Sequence, residues 1–506
     1  MNGTGTVRNQ VVESYADLGP VATEWQSHSG AAVTSGGSQS PKVQYGYDTT
    51  ASSGVYQNGP RLQQVTYPNG RVIYNQYGTS AGDLNDLLGR ISHIRQTDGD
   101  GQLLALYTRL GSGRVVKVDY DEPDLLYTLL PGGTAADYDG LDRFGRVKDL
   151  LWRDYGGSVD AVRIKHGYDY ADNRVYREDT VSKSQGTPVY LDEYYTYDGL
   201  NQLLNRDRGE LNEGKTAISG TPGKEEDWTL DALGNWSAYV QKTSGSTDLS
   251  QARTHNLGNE LTQIDSSSTH VAEDAAGNMT KVPKPSSWSA HYDLTFDAWN
   301  RLVKVMDGET TVAEYEYDGR NFRTVKKIYS GGQLSETRHF YYNAGWQLLE
   351  ERVGAATTAD RQNVWGDRYV DDLILRDRDT DANGSLDERR YAMQDPNWNM
   401  VAIANTSGDV QERYSYSGYG TPTFLTSVFG SRASSSYAWD TLYTGRQYDV
   451  ESGVYYYRNR FHGAEVGRFL TRDPIQADIN LYRYCVDDNR LLRQCQSALL
   501  NNSLNI

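Results

Sequence analysis

One turn is written into this chain over and over. LDRFGRV (141–147), YDGLNQL (197–203), LDALGNW (230–236), HNLGNEL (255–261), EDAAGNM (273–279), FDAWNRL (296–302) and YDGRNFR (317–323) share a single frame. A strand residue is followed by Asp or Asn, two free positions, Gly or Asn, a polar or variable residue, and then usually an apolar one. A carboxylate or amide at the first turn position accepts backbone N–H groups. Gly or Asn three residues later tolerates the positive φ that carries the chain into the next strand through a bulge. Flanks such as RLVKVMD (301–307) and AEYEYDG (313–319) alternate apolar and polar residues, the period of a strand with one buried face. Degenerate copies stand earlier, at YPNGRVIY (67–74) and DLLGRI (86–91), and no helical periodicity is sustained before the C-terminal tail. One hairpin cannot bury its face alone, so the copies must pair side by side. The expected fold is all-β, a spiralling array of hairpins.

Composition narrows what such an array can do. The chain has 39 Tyr against 8 Phe, and a tyrosine buries a large ring while its hydroxyl stays wet, which suits half-buried sheets. The net charge of −17 excludes nucleic acid as a partner on electrostatic grounds. Cys485 and Cys495 are the only cysteines, so neither a disulfide framework nor a zinc site is expected. No apolar run reaches the roughly 18 residues that span a bilayer, and MNGTGTVRNQ carries no visible signal peptide.

The frame resembles the tyrosine–aspartate (YD) repeats of Rhs-type proteins, insecticidal toxin-complex C components and teneurins. YSYSGYGTP (414–422) looks like that family's YDPYG turn. TGRQYDVESGVYYYRNRFHGAEVGRFLTRDPI (444–475) closely resembles the core segment that closes Rhs repeat arrays. The resemblance implies a hollow or partial shell walled by hairpins. Its expected order is a poorly defined segment at 1–40, a repeat shell at 41–440, the repeat-associated core at 441–484 and a truncated variable tail at 485–506. By the same resemblance the chain is a structural shell portion of a secreted or cell-surface protein and not an enzyme. In relatives such shells enclose a C-terminal toxic domain, which the short tail here is expected to lack. The alternatives are an adhesion module that binds cell-surface glycans and the remnant of an aspartic self-processing protease.

Two candidate sites stand out. In toxin-bearing relatives the closing segment forms an autoprotease, and the arginine of GRF and the aspartate of DPIG belong to it; here they match Arg468 and Asp473. Paired carboxylates can divide acid and base roles because both cannot ionise together. The family's glycine after DPI is Gln476, and the second Asp-Pro-x-Gly-Leu is missing, leaving Asp487 and Asp488 as the only partners. The bland alternative has Asp473 capping a turn and Arg468 paired with a shell carboxylate. The second candidate is DRDTDANGSLDERR (377–390), where Asp379, Asp381, Asn383 and Asp387 fall at calcium-loop positions, although position 12 is Arg390 instead of a bidentate Glu. Flanking strand-like segments make it an acidic hairpin tip, and calcium is the one cofactor considered. Trp152, Trp228, Trp236, Trp299, Trp346 and Trp398 are the tryptophans that could stack on a sugar, or else serve as shell core.

Overall fold

The structure, a computed structural model, describes residues 6–484 except 18, 49–59, 81, 112, 133–137 and 286. The seven turns read from the sequence share one geometry. In each, the N–H of the Asp or Asn donates to the carbonyl four residues on, and its own carbonyl accepts the N–H three residues on, at 2.9–3.2 Å. The residue that donates this last N–H lies at φ between 60° (Asn300) and 83° (Gly277), inside the left-handed region that Gly and Asn tolerate. The first-position side chain then takes two amides. Asp297 Oδ1, for example, accepts the N–H of Trp299 at 2.9 Å and of Arg301 at 3.0 Å. A bulge follows, as between Thr295 and Phe296 opposite Leu302.

Nearly all regular structure is antiparallel strand between sequence neighbours. Two helices of four residues, Leu84–Leu87 and Thr180–Lys183, and one 3-10 turn are the exceptions among the described residues. The first of these overlaps the start of the expected degenerate repeat at 86–91. Asp83 caps it by accepting the N–H of Asn85 and Asp86, so local capping displaces the hairpin turn there. Strands Gln10–Tyr15 and Val21–Ser27 pair with one another inside the segment expected to be poorly defined.

The chain divides into two compact units, each assembled from separated segments. Unit 1 holds residues 1–130, 151–161 and 314–411. Its first nine strands, from Gln10 to Thr128, pair in sequence order, as do the seven from Arg323–Ser330 to Met400–Ala404. Its core is aromatic: Trp152, 1% exposed, stacks on Tyr120 at 5.5 Å, and its indole N–H donates to the Gln394 carbonyl at 3.0 Å.

Unit 2 holds residues 131–150, 162–313 and 412–506. Between Asp192–Tyr197 and Leu261–Ile264 its strands again pair consecutively, and a four-stranded sheet closes its described part between Gln447 and Phe469. Trp228, Trp236 and Tyr239 form a buried cluster with Tyr419 against them. Buried Arg206 is paired with Glu193 and Glu226, so that charge is compensated on both sides. Successive turns are tied by asparagine amides: Asn173 to Asn201 at 3.0 Å, Asn235 to Asn259 at 2.8 Å, and Asn278 to Asn300 at 3.0 Å.

Candidate functional site

The closing segment, residues 467–484, lies across three successive turns of unit 2. Asn480 donates its side-chain amide to the Leu233 carbonyl and to Asn235 Oδ1, each at 2.9 Å. Arg472 pairs with Glu260 at 2.6 Å, and Tyr482 donates its hydroxyl to the Gly277 carbonyl at 2.8 Å. Tyr482 is fully buried. The Gly-Arg-Phe corner fits here because a Cβ at Gly467, φ 72°, would fall inside the Trp236 ring. The stretch therefore clasps the turns at 231–235, 256–260 and 274–278 together.

Arg468 and Asp473 take different parts in this clasp. Arg468 is 6% exposed, donates to the Asn259 carbonyl and lies 4.6 Å over the Tyr482 ring. Its acceptor is thus a carbonyl, not the expected carboxylate. Burial pushes its pKa down to about 10, against the opposing pull of Glu273 and Tyr482. Asp473 Oδ1 accepts the N–H of Ile475 at 3.2 Å and Oδ2 that of Ala477 at 3.3 Å, which makes it the cap of an exposed turn. Among the described residues no hydrogen bond or ion pair joins Arg468 to Asp473, and the Asp473 carboxylate bonds only those two amides. Asp487 and Asp488 lie outside the described residues.

A cavity of about 40 Å³ opens beneath the clasp, with Trp236, Arg253, His255, Arg468 and Tyr482 in its wall. Arg253 is 5% exposed and donates to the Val466 carbonyl at 3.0 Å and to Gln251 Oε1 at 2.9 Å. Its guanidinium lies 4.5 Å from the Trp236 ring centre. Burial, with Arg468 nearby, brings its pKa down to about 9, and burial with both arginines brings His255 to about 3. Glu273, half-buried close to Arg468, is pushed up to about 7 by burial and accepts the Leu261 N–H at 3.1 Å. Arg253, His255 and Glu273 carried no signal in the sequence. They meet Arg468 only because turns two hundred residues earlier come under the clasp.

The acidic tip in unit 1 is a hairpin loop, with Arg378 opposite Glu388 across flanking strands. One oxygen from each of Asp379, Asp381 and Asp387 lies within 4.8 Å of the others. Those oxygens are already engaged. Asp379 accepts the N–H of Gly384 at 2.7 Å and, at 3.3 Å, those of Asp381 and Asn383. Asp387 takes the Thr380 hydroxyl at 2.6 Å, and Asn383 donates its amide to Asp381. Of the six tryptophans considered for sugar stacking, Trp152, Trp228 and Trp236 are core, Trp346 and Trp398 are half-buried, and Trp299 is 68% exposed.

No protein-family model matches this chain. It is 28% identical over 280 residues to the tRNA3(Ser)-specific nuclease WapA of Bacillus spizizenii, covering 55% of this chain and 10% of that protein. It is 22% identical over 450 residues to the probable deoxyribonuclease RhsB of Dickeya dadantii, covering 80% and 26%. The chain therefore spans about a tenth to a quarter of these relatives. Among solved structures it superposes on a Tc holotoxin pore of Photorhabdus luminescens with a TM-score of 0.69 at 16% identity, covering 94% of this chain and 22% of that one. The crystal structure of TcdB2-TccC3 gives 0.68 at 15% identity, covering 94% and 24%. The resemblance to Rhs/YD-repeat proteins holds in both sequence and fold, and the all-β hairpin array is the fold of those Tc toxin structures. Among the described residues no helix is long and apolar enough to cross a membrane.

Proposed function

We propose that this chain is a stretch of wall in an Rhs-type β-shell, part of a secreted or cell-surface protein whose shell encloses a toxic domain. The observation that carries this reading is fold likeness over 94% of the chain to Tc toxin structures at a TM-score of 0.69. The clasp supports it, since a segment that ties three turns together is what an array needs where it closes. The chain covers 22% of the matched toxin chain, which supports a contribution to a larger wall. Nuclease activity named for WapA is not carried over, because the matched region is 10% of that protein. Cryo-electron microscopy of the purified chain tests the reading: hairpins curving round a lumen are expected, and sheets packed face to face on a solid core would overturn it.

Glycan adhesion is the second reading, and exposed Trp299 favours it, with the Arg301 guanidinium 5.1 Å from its ring centre. A glycan array blank for the wild type, or unchanged by Trp299→Ala, would remove it. The self-processing reading keeps Asp473 as a remnant. Intact-mass spectrometry from pH 4 to 8 is expected to find a chain of 56.7 kDa. A discrete cut that Asp473→Asn abolishes would establish a working protease.

A further inference from the structure

We propose that the cavity beneath the clasp is a seat for a small oxyanion, a carboxylate or a phosphate, gripped by the guanidiniums of Arg253 and Arg468. Both side chains are buried, and buried charges in proteins are ordinarily paired. Arg206 in the same unit obeys that rule with two glutamates. These two arginines do not. Among the described residues Arg253 donates to neutral acceptors, the Gln251 amide oxygen and the carbonyls of Glu465 and Val466. Among the described residues the Arg468 side chain has one hydrogen bond, to the Asn259 carbonyl, and its buried Nε has no partner.

The carboxylates nearest Arg468 do not restore its neutrality. Glu260 is committed to Arg472, and Asp231 to its own turn, where it accepts the N–H of Leu233 and Asn235. Glu273 makes no ion pair with Arg468 among the described residues, and its pKa, raised to about 7, leaves it partly protonated at neutral pH. His255 on the same wall stays neutral, so it adds no charge of either sign. The Arg468 fork, with its Nε unengaged, matches the in-plane oxygens of a carboxylate or phosphate, while Arg253, its donors largely engaged, adds charge from the same wall. About 40 Å³ admits a group of only a few non-hydrogen atoms.

Titration calorimetry of the full chain with sodium phosphate, sodium sulfate and sodium formate, at ionic strength held constant with sodium chloride, tests this. Saturable binding of at least one anion is expected, with a parallel rise in melting temperature, because a ligand held only by the folded state stabilises it. Tighter binding of formate marks a carboxylate seat, and tighter binding of phosphate or sulfate a tetrahedral one. Arg253→Gln and Arg468→Gln should each weaken binding at least tenfold. Lys224→Gln, which alters an exposed cation elsewhere in the same unit, should leave it unchanged. If a glutamine variant fails to fold, Arg468→Lys keeps the charge but loses the fork, and a weaker affinity is again expected. Absence of saturable binding by all three anions to the wild type, or an equal loss in Lys224→Gln, would overturn the proposal.

Discussion

Gln476 stands where the related closing segments carry glycine, and its φ of 50° shows why glycine belongs there. A left-handed conformation costs a residue with a Cβ about 1–2 kcal/mol, part of which glycine returns as unfolded-state entropy. Gln476→Gly is therefore expected to stabilise the chain by about 0.5–1 kcal/mol in denaturant unfolding; a neutral or destabilising result would show that the turn has adapted to glutamine. His462 makes the opposite kind of prediction. It is 0% exposed, caged by Tyr455, Tyr457, Phe469 and Tyr484, and among the described residues neither ring nitrogen has a hydrogen-bond partner. Burial, helped by Arg460, lowers its pKa to about 3. Below the unfolded value of about 6.5 the unfolded chain takes up a proton that the folded chain refuses, so stability falls as pH falls. One such histidine removes about 2 kcal/mol between pH 6.5 and 5. His462→Phe should flatten the stability–pH curve by that amount, whatever it does to absolute stability; an unchanged slope would refute the assignment. Neither role was legible in the sequence. A histidine's burial depends on which distant rings close around it, whereas the turn at Asp473 was readable because its amide donors lie two and four residues away.

At the scale of the element, the repeat turn is legible for the same reason: every donor and acceptor falls within five residues. The frame also fits the turns headed by Asp169, Asn343 and Asp395, where the same donation to the carbonyl four residues on recurs. Asp297 caps two amides and holds the Arg301 guanidinium at 2.7 Å. Asp297→Ala should cost about 1–2 kcal/mol in thermal or denaturant unfolding, while Asp297→Asn keeps most of the turn. The acidic tip at 379–387 looks like a cation loop in one dimension and like a self-bonded hairpin in three. Millimolar calcium is expected to leave the melting temperature unchanged. A rise that Asp381→Ala abolishes would show that the loop binds the ion and gives up its internal hydrogen bonds to do so.

For the whole molecule, each compact unit draws its segments from distant parts of the chain. A local code specifies hairpins one at a time, but it does not say which rows of hairpins will share a core. That is why the array was readable and the cavity beneath the clasp was not. The clasp also sets an order of events in folding. Hairpins close over a few residues and can form as soon as their own sequence is available. The contacts of residues 468–482 span 205 to 247 positions and must wait for the rest of the array. Late contacts of this kind are absent from the folding transition state, so their loss speeds unfolding and leaves folding unchanged. Tyr482→Phe, which removes the 2.8 Å bond to Gly277, is expected to quicken unfolding about fivefold for a loss of ~1 kcal/mol, with no change in the refolding limb of the chevron. A slower refolding limb would place the clasp in the nucleus. With the clasp formed last, resistance to unfolding is a kinetic property set by one short segment that ties earlier turns together.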